Sequence, residues 1–461
     1  MATVVGSCIG RDDSQDFNSA HPIEEGKIHS NRLGAFYPAK VGELLDNRYK
    51  ILTKLGFSEF STTWLAENTK YDPEKGVQIP HVVCIEIPTL DEDVDDKDDF
   101  TNLVKFAIKK NDNNDTLDGV PFLRIALDRF QIKTDAGVHS CHVYEAMREP
   151  IRVLRHRLEG HRLEPQMFKL HMYCLLQALD YLHRQCGIIH TDITEDKIMM
   201  TMENQKVLED FLVDCIKQPH LKHVGKADGR ETYMTRNDLG NLRGPKLLPV
   251  LSNFNSHFTY GHKASGHLSP IQSDPYRAPE VFLGCEWHSS ADIWNLGVLM
   301  WDLLEGVSLF GPNVGQDGLY DAHHHLAKIV SLLGAPPSTV IFREKAVRDI
   351  GVELPDAPEG VFINLNEHWG GPFFDDKDQI LHPNLIDEKA SLASTVTQLS
   401  GAEKEMFLDL ASSMLQWVPQ ARKTAKQLLE HPFFESTAKG WTEGMSKRSS
   451  YMKSLLGGKK A

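Results

Sequence analysis

The stretch GIIHTDITEDKIMM at residues 187–200 holds one acidic residue, Asp192, two places after a histidine. It follows a short apolar run of strand type, at the point where the chain turns polar. Phosphoryl-transfer chemistry would use a lysine and an asparagine beside such a carboxylate. Thr194 and Lys197 stand at those two places instead. Whether the chain is an enzyme therefore depends on what these substitutions do.

Length and composition indicate a soluble protein with two or three domains or lobes. Single hydrophobic cores stop growing near about 250–300 residues, and this chain has 461. Hydrophobic residues make up 41% and charged residues 25%, which is ordinary for a globular protein. The net charge of -14 argues against a nucleic-acid surface. It is compatible with a basic protein partner, or with solubility alone.

Cysteine spacing and the N-terminal sequence bear on the compartment. The seven cysteines are scattered without a CxxC pair, so neither a disulfide framework nor a zinc site is indicated. The first apolar run is too short for a signal peptide and has no basic start. No stretch approaches the roughly 18 apolar residues of a membrane span. We expect no membrane contact and a location in the cytoplasm, the nucleus or both.

Hydrophobic periodicity changes from strand-like to helix-like along the chain. Strands are predicted within 49–68, at 81–90 and at 139–149, and helices at 101–110, 165–186, 290–306 and, as a pair, 403–434. The helix at 290–306 is apolar nearly all round and should be buried. The segment 203–250 has no clean period, and we interpret it as an insertion or a docking surface.

The two ends of the chain differ from the middle. Residues 1–34 are polar and without periodicity, so we expect them to be disordered. Residues 436–461 carry one acid, Glu443, and the basic residues Lys439, Lys447, Arg448, Lys453, Lys459 and Lys460. A solvated basic tail is favoured there over a nuclear-import or partner-docking segment.

Five motifs, in order, resemble those of a eukaryotic protein kinase. They are LGFSEFSTTWLA (55–66) for the glycine-rich loop, VCIE (83–86) for V-A-I-K, HTDITEDK (190–197) for H-R-D-L-x-x-x-N, NFN (253–255) for D-F-G, and APE (278–280), which is unchanged. Their order and spacing cover about residues 37–434. The resemblance implies an α+β, two-lobed protein-kinase fold with a β-rich N-lobe and a helical C-lobe.

The sequence is most similar to the serine/arginine-rich protein kinases, particularly their fungal relatives. The resemblance is carried by Thr191 of H-T-D and by PIQSDPYRAPEVFLG (270–284), ADIWNLGVLMWDLLEGVSLF (291–310) and IVSLLGAPP (329–337). It implies an N-lobe at 35–147, a C-lobe at 148–434 with a family-type insertion at 203–250, and a basic tail at 435–461.

The resemblance also implies which residues would contact nucleotide. By motif position these are Leu55, Gly56, Glu86, Glu145, Met147, Lys197 and Asn253, with Asp192 as the base. Glu86 puts a carboxylate where a lysine would meet phosphate, which inverts the interaction. Lys197 replaces the metal-binding asparagine, and Asn253 replaces the D-F-G aspartate. Because hard divalent cations favour carboxylate oxygen, these substitutions argue against Mg²⁺, and we assign no metal site.

Two functional hypotheses follow. The first is a catalytically impaired pseudokinase of this branch that acts by binding proteins, with basic Arg/Ser-rich segments as candidate partners. The alternative is an active, ATP-dependent Ser/Thr kinase that phosphorylates Arg/Ser-rich splicing-type proteins. The retained Asp192 fits both, because it can serve as a base or brace its loop through hydrogen bonds. The resemblance implies ATP as the nucleotide in either case.

Overall fold

The computed structural model describes residues 24–27, 32–76, 78–90, 100–110, 119–218, 220–225, 229–244, 247–254, 258–259, 266–315, 317–353, 362–439, 448, 452 and 455–456. None of the described helices combines the length and the apolarity that crossing a membrane requires.

A six-stranded antiparallel sheet forms the N-terminal lobe. Its strands are β1 (Leu44–Leu45), β2 (Tyr49–Phe57), β3 (Ser61–Asn68), β4 (Val82–Pro88), β5 (Asp128–Thr134) and β6 (Gly137–Glu145). They lie in the order β1-β2-β3-β4-β6-β5. Alternation along the strands places Ile51, Trp64 and Ile85 in one small core. The strands predicted within 49–68, at 81–90 and at 139–149 are confirmed.

Helices make up most of the second lobe. Its α-helices are α2 (Ile151–Arg155), α3 (Pro165–Tyr181), α4 (Gln205–Lys217), α5 (Pro279–Phe282), α6 (Ser290–Leu304), α7 (Ala322–Leu333), α8 (Ser338–Val347), α9 (Leu365–His368), α10 (Gly401–Met414), α11 (Ala425–Leu429) and α12 (Glu435–Lys439). The largest core surrounds α6, which is buried along almost its whole length, as predicted. Helix α1 (Phe100–Lys110) of the first lobe joins the same core.

Four short strand pairs lie outside the six-stranded sheet in the described part of the chain. They are β7 (Ile188–Ile189) with β12 (Phe258–Thr259), β8 (Ile198–Met200) with β11 (Pro249–Leu251), β9 (Lys222–Val224) with β10 (Glu231–Tyr233), and β13 (Gly351–Glu353) with β14 (Phe362–Asn364). In the β8–β11 ladder Ile198 lies opposite Leu251. This register brings the end of the loop at 190–197 next to residues 252–254.

The segment 203–250 contains regular structure that its sequence pattern did not indicate. Helix α4 packs Val207 and Phe211 into a cluster with Leu65 of the sheet and Ala146, which follows β6. At the root of the segment, Glu203 accepts a hydrogen bond from the buried Arg148 at 2.6 Å. The described part of this segment is therefore packed against both lobes.

The expectation of a disordered N-terminus is wrong for Glu24–Lys27. These residues form a 3-10 helix, and Glu25 is buried. Its carboxylate pairs with the ammonium group of Lys54, whose side chain is fully buried in β2. Glu24 lies 3.8 Å from the same ammonium group. A buried lysine requires such acidic partners, so this short segment belongs to the folded lobe.

The basic C-terminal tail is also not simply solvated. Arg448 donates to Glu145 at 2.8 Å and to the carbonyl oxygen of Pro121 at 3.1 Å. Met452 and Leu456 are buried in the large core. The preference for a solvated tail is therefore wrong for these residues, because apolar side chains hold the segment against the domain.

Candidate active site

The loop that carries Asp192 is fixed from below by helix α6. Asp292, which is fully buried, accepts hydrogen bonds from the backbone N–H groups of His190 and Thr191, both at 2.8 Å. Asn295 accepts from the N–H of Ile193 at 2.7 Å. These bonds set the loop backbone without using the Asp192 carboxylate. Asp292 and Asn295 therefore hold the loop backbone directly, and the Asp192 carboxylate is left to other donors.

The Asp192 carboxylate is occupied by neighbouring donors. Its Oδ2 pairs with the ammonium group of Lys197, and its Oδ1 accepts from both the N–H and the hydroxyl of Ser273 at 2.9 Å. Burial would raise the pKa of Asp192, but Lys197 and the bonds from Ser273 lower it below the ordinary 3.8. A general base works best when its pKa lies near the working pH. These contacts therefore make Asp192 a weaker base. They also give both of its carboxylate oxygens partners, as expected of a residue that braces the loop.

The two positions predicted for metal ligands do not present a suitable donor set. Lys197 contributes an ammonium group that is committed to Asp192. Asn253 is exposed, has a φ of 65°, and offers only a neutral amide. Magnesium prefers carboxylate and water oxygens in octahedral geometry, so these residues do not fit it. Among the described residues, no group of three or more metal-ligating side chains occurs.

Aromatic stacking connects the loop to the first lobe. Phe254, next to Asn253, stacks on Phe100 of α1 with ring centroids 3.5 Å apart. It also meets the ring of His190 edge to face at 5.1 Å. Phe254 therefore joins α1 to the loop of Asp192, and residues far apart in sequence form one wall of the cleft.

The roof of the cleft, which is the loop motif at residues 55–66, is hydrogen-bonded to Glu86. The Glu86 carboxylate accepts a hydrogen bond from the Ser61 hydroxyl at 3.1 Å, and Ser61 contacts the Ser58 hydroxyl at 3.0 Å. Ser58 and Ser61 stand at the second and third glycine positions of the loop motif. Serine hydroxyls therefore stand at two of the three glycine positions. Instead of a lysine reaching toward phosphate, the structure places a carboxylate that binds the loop itself.

The remaining predicted nucleotide contacts line the edge of this roof. Leu55 and Gly56 lie just before Phe57, the last residue of β2, and a Cβ atom added at Gly56 would meet nothing within 4 Å. Glu145 ends β6, and Met147 is buried just beyond it. The Glu145 carboxylate is paired with Arg448 of the tail. These positions therefore lie near the ends of β2 and β6, and Arg448 of the tail contacts the carboxylate at the end of β6. That they contact nucleotide stays a prediction.

One cation in the cleft was missed from the sequence. The Arg124 guanidinium lies over the Tyr144 ring at 4.3 Å and donates to the Cys84 sulfur at 3.3 Å. Cys84 lies opposite Tyr144 in the β4–β6 ladder, two residues before Glu86. A charge within the apolar run VPFLRIAL at 120–127 was the available signal.

Comparisons with known proteins agree with this architecture. The protein kinase domain family matches residues 257–434. The chain carries a protein kinase domain. This domain overlays the crystal structure of another kinase domain with a TM-score of 0.57 and 20% identity, covering 87% of this chain and 99% of that one. The two-lobed fold inferred from the motifs is confirmed.

The distant relatives are kinases named for the serine/arginine-rich branch and fungal Ser/Thr kinases. A serine/threonine protein kinase of Aspergillus fumigatus is 29% identical over 90% of this chain and 92% of its own. Serine/threonine-protein kinase SRPK of Physarum polycephalum is 24% identical over 89% and 91%. SRSF protein kinase 3 of Mus musculus is 22% identical over 87% and 88%. The resemblance to this branch is confirmed.

Proposed function

We propose that this kinase domain is catalytically impaired and acts by binding protein partners. The observation that carries the proposal is the carboxylate of Glu86, bonded to Ser61 on the loop above the cleft. Phosphoryl transfer relies on a lysine at that strand position to hold the phosphates. A carboxylate there repels them instead. The substitution removes one interaction and adds an opposing one.

The floor of the cleft supports the same conclusion. Asp192 is paired with Lys197, and Lys197 stands where a metal ligand would be needed. Removing one electrostatic stabiliser commonly lowers kcat by about 100- to 1,000-fold, and typical kinases turn over at about 1–100 per second. Losses within one catalytic unit are not additive. Two independent losses would still leave roughly one turnover in minutes to days.

The partner is inferred from charge and from the relatives. The chain has a net charge of -14, which favours association with basic segments. One relative is named as an SRSF protein kinase. We therefore propose basic Arg/Ser-rich protein segments as the class of partner. ATP remains a candidate ligand of the cleft, and Mg²⁺ is disfavoured by the donors at Lys197 and Asn253.

A phosphotransfer assay combined with a binding assay tests this proposal. Purified protein is incubated with labelled ATP, Mg²⁺ and an Arg/Ser-rich peptide, and peptide binding is measured separately by fluorescence anisotropy. We expect binding without labelling above the level of an Asp192→Asn control. Restoring Glu86→Lys, Lys197→Asn and Asn253→Asp together should raise labelling if the remaining scaffold is competent. Wild-type labelling that Asp192→Asn abolishes would contradict the proposal.

A second candidate is the active Ser/Thr kinase acting on the same class of segments. It is favoured by the intact support of the cleft, in which Phe254 stacks between Phe100 and His190. The amide bonds to Asp292 favour it as well. Under this function Asp192 would be the base, and another cation would hold phosphate. The same assay separates the two functions, because only this one predicts labelling that depends on Asp192.

A further inference from the structure

Arg124 is a cation in the cleft that pairs with no carboxylate among the described residues. Its side chain is partly buried, and its Nε atom is buried without a hydrogen-bond partner. Its one side-chain hydrogen bond goes to the sulfur of Cys84. No carboxylate in the described part of the chain lies within ion-pair distance of the guanidinium. Holding a charged group out of water without a paired anion costs several kcal/mol in general.

The neighbours of Arg124 do not neutralise it. Burial raises the pKa of the Cys84 thiol, so the thiol is uncharged at neutral pH. Tyr144 offers the face of its ring, which attracts a cation but carries no net charge. Glu86 attracts the guanidinium only at longer range, and its carboxylate is bonded to Ser61. The site therefore has a fixed positive charge that no described carboxylate pairs with.

The backbone places this charge on the cleft wall. The N–H of Arg124 donates to the carbonyl oxygen of Leu251 at 2.8 Å. Leu251 ends β11, two residues before Asn253. The side chain of Arg124 meets β4 and β6 of the sheet through Cys84 and Tyr144. Arg124 therefore contacts both the sheet and β11. Its side chain lies on the face of β4 that also carries Glu86, because residues two apart on a strand share a face.

We propose that Arg124 binds the phosphate oxygens of a nucleotide in this cleft without a divalent metal, in place of the lysine that Glu86 replaces. A guanidinium presents paired donors that match a phosphate and remains charged at all physiological pH values. The inference rests on the proposed function, because it describes nucleotide binding by a domain that does not transfer phosphate. Repulsion between Glu86 and phosphate limits the affinity for the nucleotide, so a substitution of Glu86 also tests the site.

Calorimetric titration in EDTA tests the assignment, with ATP and adenosine as the two ligands. Arg124→Met should weaken ATP binding by about 10- to 100-fold, the value of a hydrogen bond to a charged group. Adenosine binding should change by less than about threefold. Arg124→Lys should keep only part of the ATP affinity, because the charge remains but the paired donors do not, and Glu86→Gln should increase it. Lys133→Met removes an exposed positive charge from β5 and should leave both affinities unchanged.

Several results would overturn the inference. ATP binding by Arg124→Met at the wild-type affinity, or an equal loss of ATP and adenosine binding, would show that the guanidinium does not meet phosphate. The same holds if wild-type protein binds no ATP in EDTA, a result that leaves the proposed loss of phosphotransfer intact. If Arg124→Met fails to fold, Glu86→Gln decides, because unchanged ATP affinity in that variant would refute the charge argument. Turnover with Mg²⁺ would refute only the proposed function.

Discussion

Replacing Lys197 by methionine tests whether Asp192 is held as a brace. The variant keeps the length of the side chain but leaves the carboxylate with only the two hydrogen bonds from Ser273. The side chains of Lys197 and Asp192 are 15% and 22% exposed, between the buried and the surface regimes. Breaking buried pairs costs about 3–5 kcal/mol and exposed ones below about 1 kcal/mol. We expect a loss of about 1–3 kcal/mol in the free energy of unfolding.

The loss should depend on pH with a defined sign. Because the folded protein lowers the pKa of Asp192 below 3.8, its favourable contribution is present above that value. It disappears as the pH falls through the lowered pKa. The difference between wild type and Lys197→Met should therefore be full at pH 7 and shrink in acid. Urea denaturation followed by circular dichroism, at pH 7 and at a pH below 3.8, measures this difference in the free energy of unfolding.

A matched control and a double variant make the test decisive. Lys206→Met removes one member of an exposed pair with Asp210 on α4, and it should leave the urea midpoint unchanged. Adding Asp192→Asn to Lys197→Met should restore much of the lost stability, since no buried charge is left unpaired. A wild-type urea midpoint in Lys197→Met, or strictly additive effects of the two substitutions, would refute the brace.

Two further predictions concern buried charge and the tail. Burial and the charge of Glu195 raise the pKa of Asp302 from 3.8 to about 7, which corresponds to about 4 kcal/mol between the two protonation states. Asp302→Asn should therefore gain stability over wild type as the pH rises from 4 to 7, with a constant advantage above pH 7; a difference independent of pH would contradict this. Arg448→Met removes the partly buried pair with Glu145, so we expect a loss of up to about 1 kcal/mol and faster proteolysis of the tail. Proteolysis at the wild-type rate would mean that the tail is held without this pair.

Local pattern was sufficient for the elements that depend on local burial. The alternation from Tyr49 to Asn68 predicted two strands, and the all-round apolar character of residues 290–306 predicted a buried helix. Both signals arise from how each segment faces its core. The resemblance to the kinase motifs assigned Asp192 and Glu86 to one nucleotide site, and this assignment stays a prediction.

Contacts between distant segments could not be predicted in this way. Arg124 meets Cys84 across the sheet, and Arg448 meets Glu145 from the far end of the chain. No periodicity encodes such pairs, since they depend on how finished elements pack. Helix α4 was missed because its apolar residues recur over only three turns within a charged segment. The irregular residues around the helix mask its periodicity when the pattern is taken over the whole segment.

A thermal-shift titration of purified protein with ATP, carried out in EDTA, in Mg²⁺ and in Mn²⁺, distinguishes an impaired domain from an active kinase. A ligand that binds only the folded protein raises its melting temperature by mass action. We predict that either metal adds nothing to the shift seen with ATP in EDTA, because the residues at positions 197 and 253 do not form a metal-dependent phosphate clamp. A shift that requires Mg²⁺ or Mn²⁺ would contradict it and favour the active kinase.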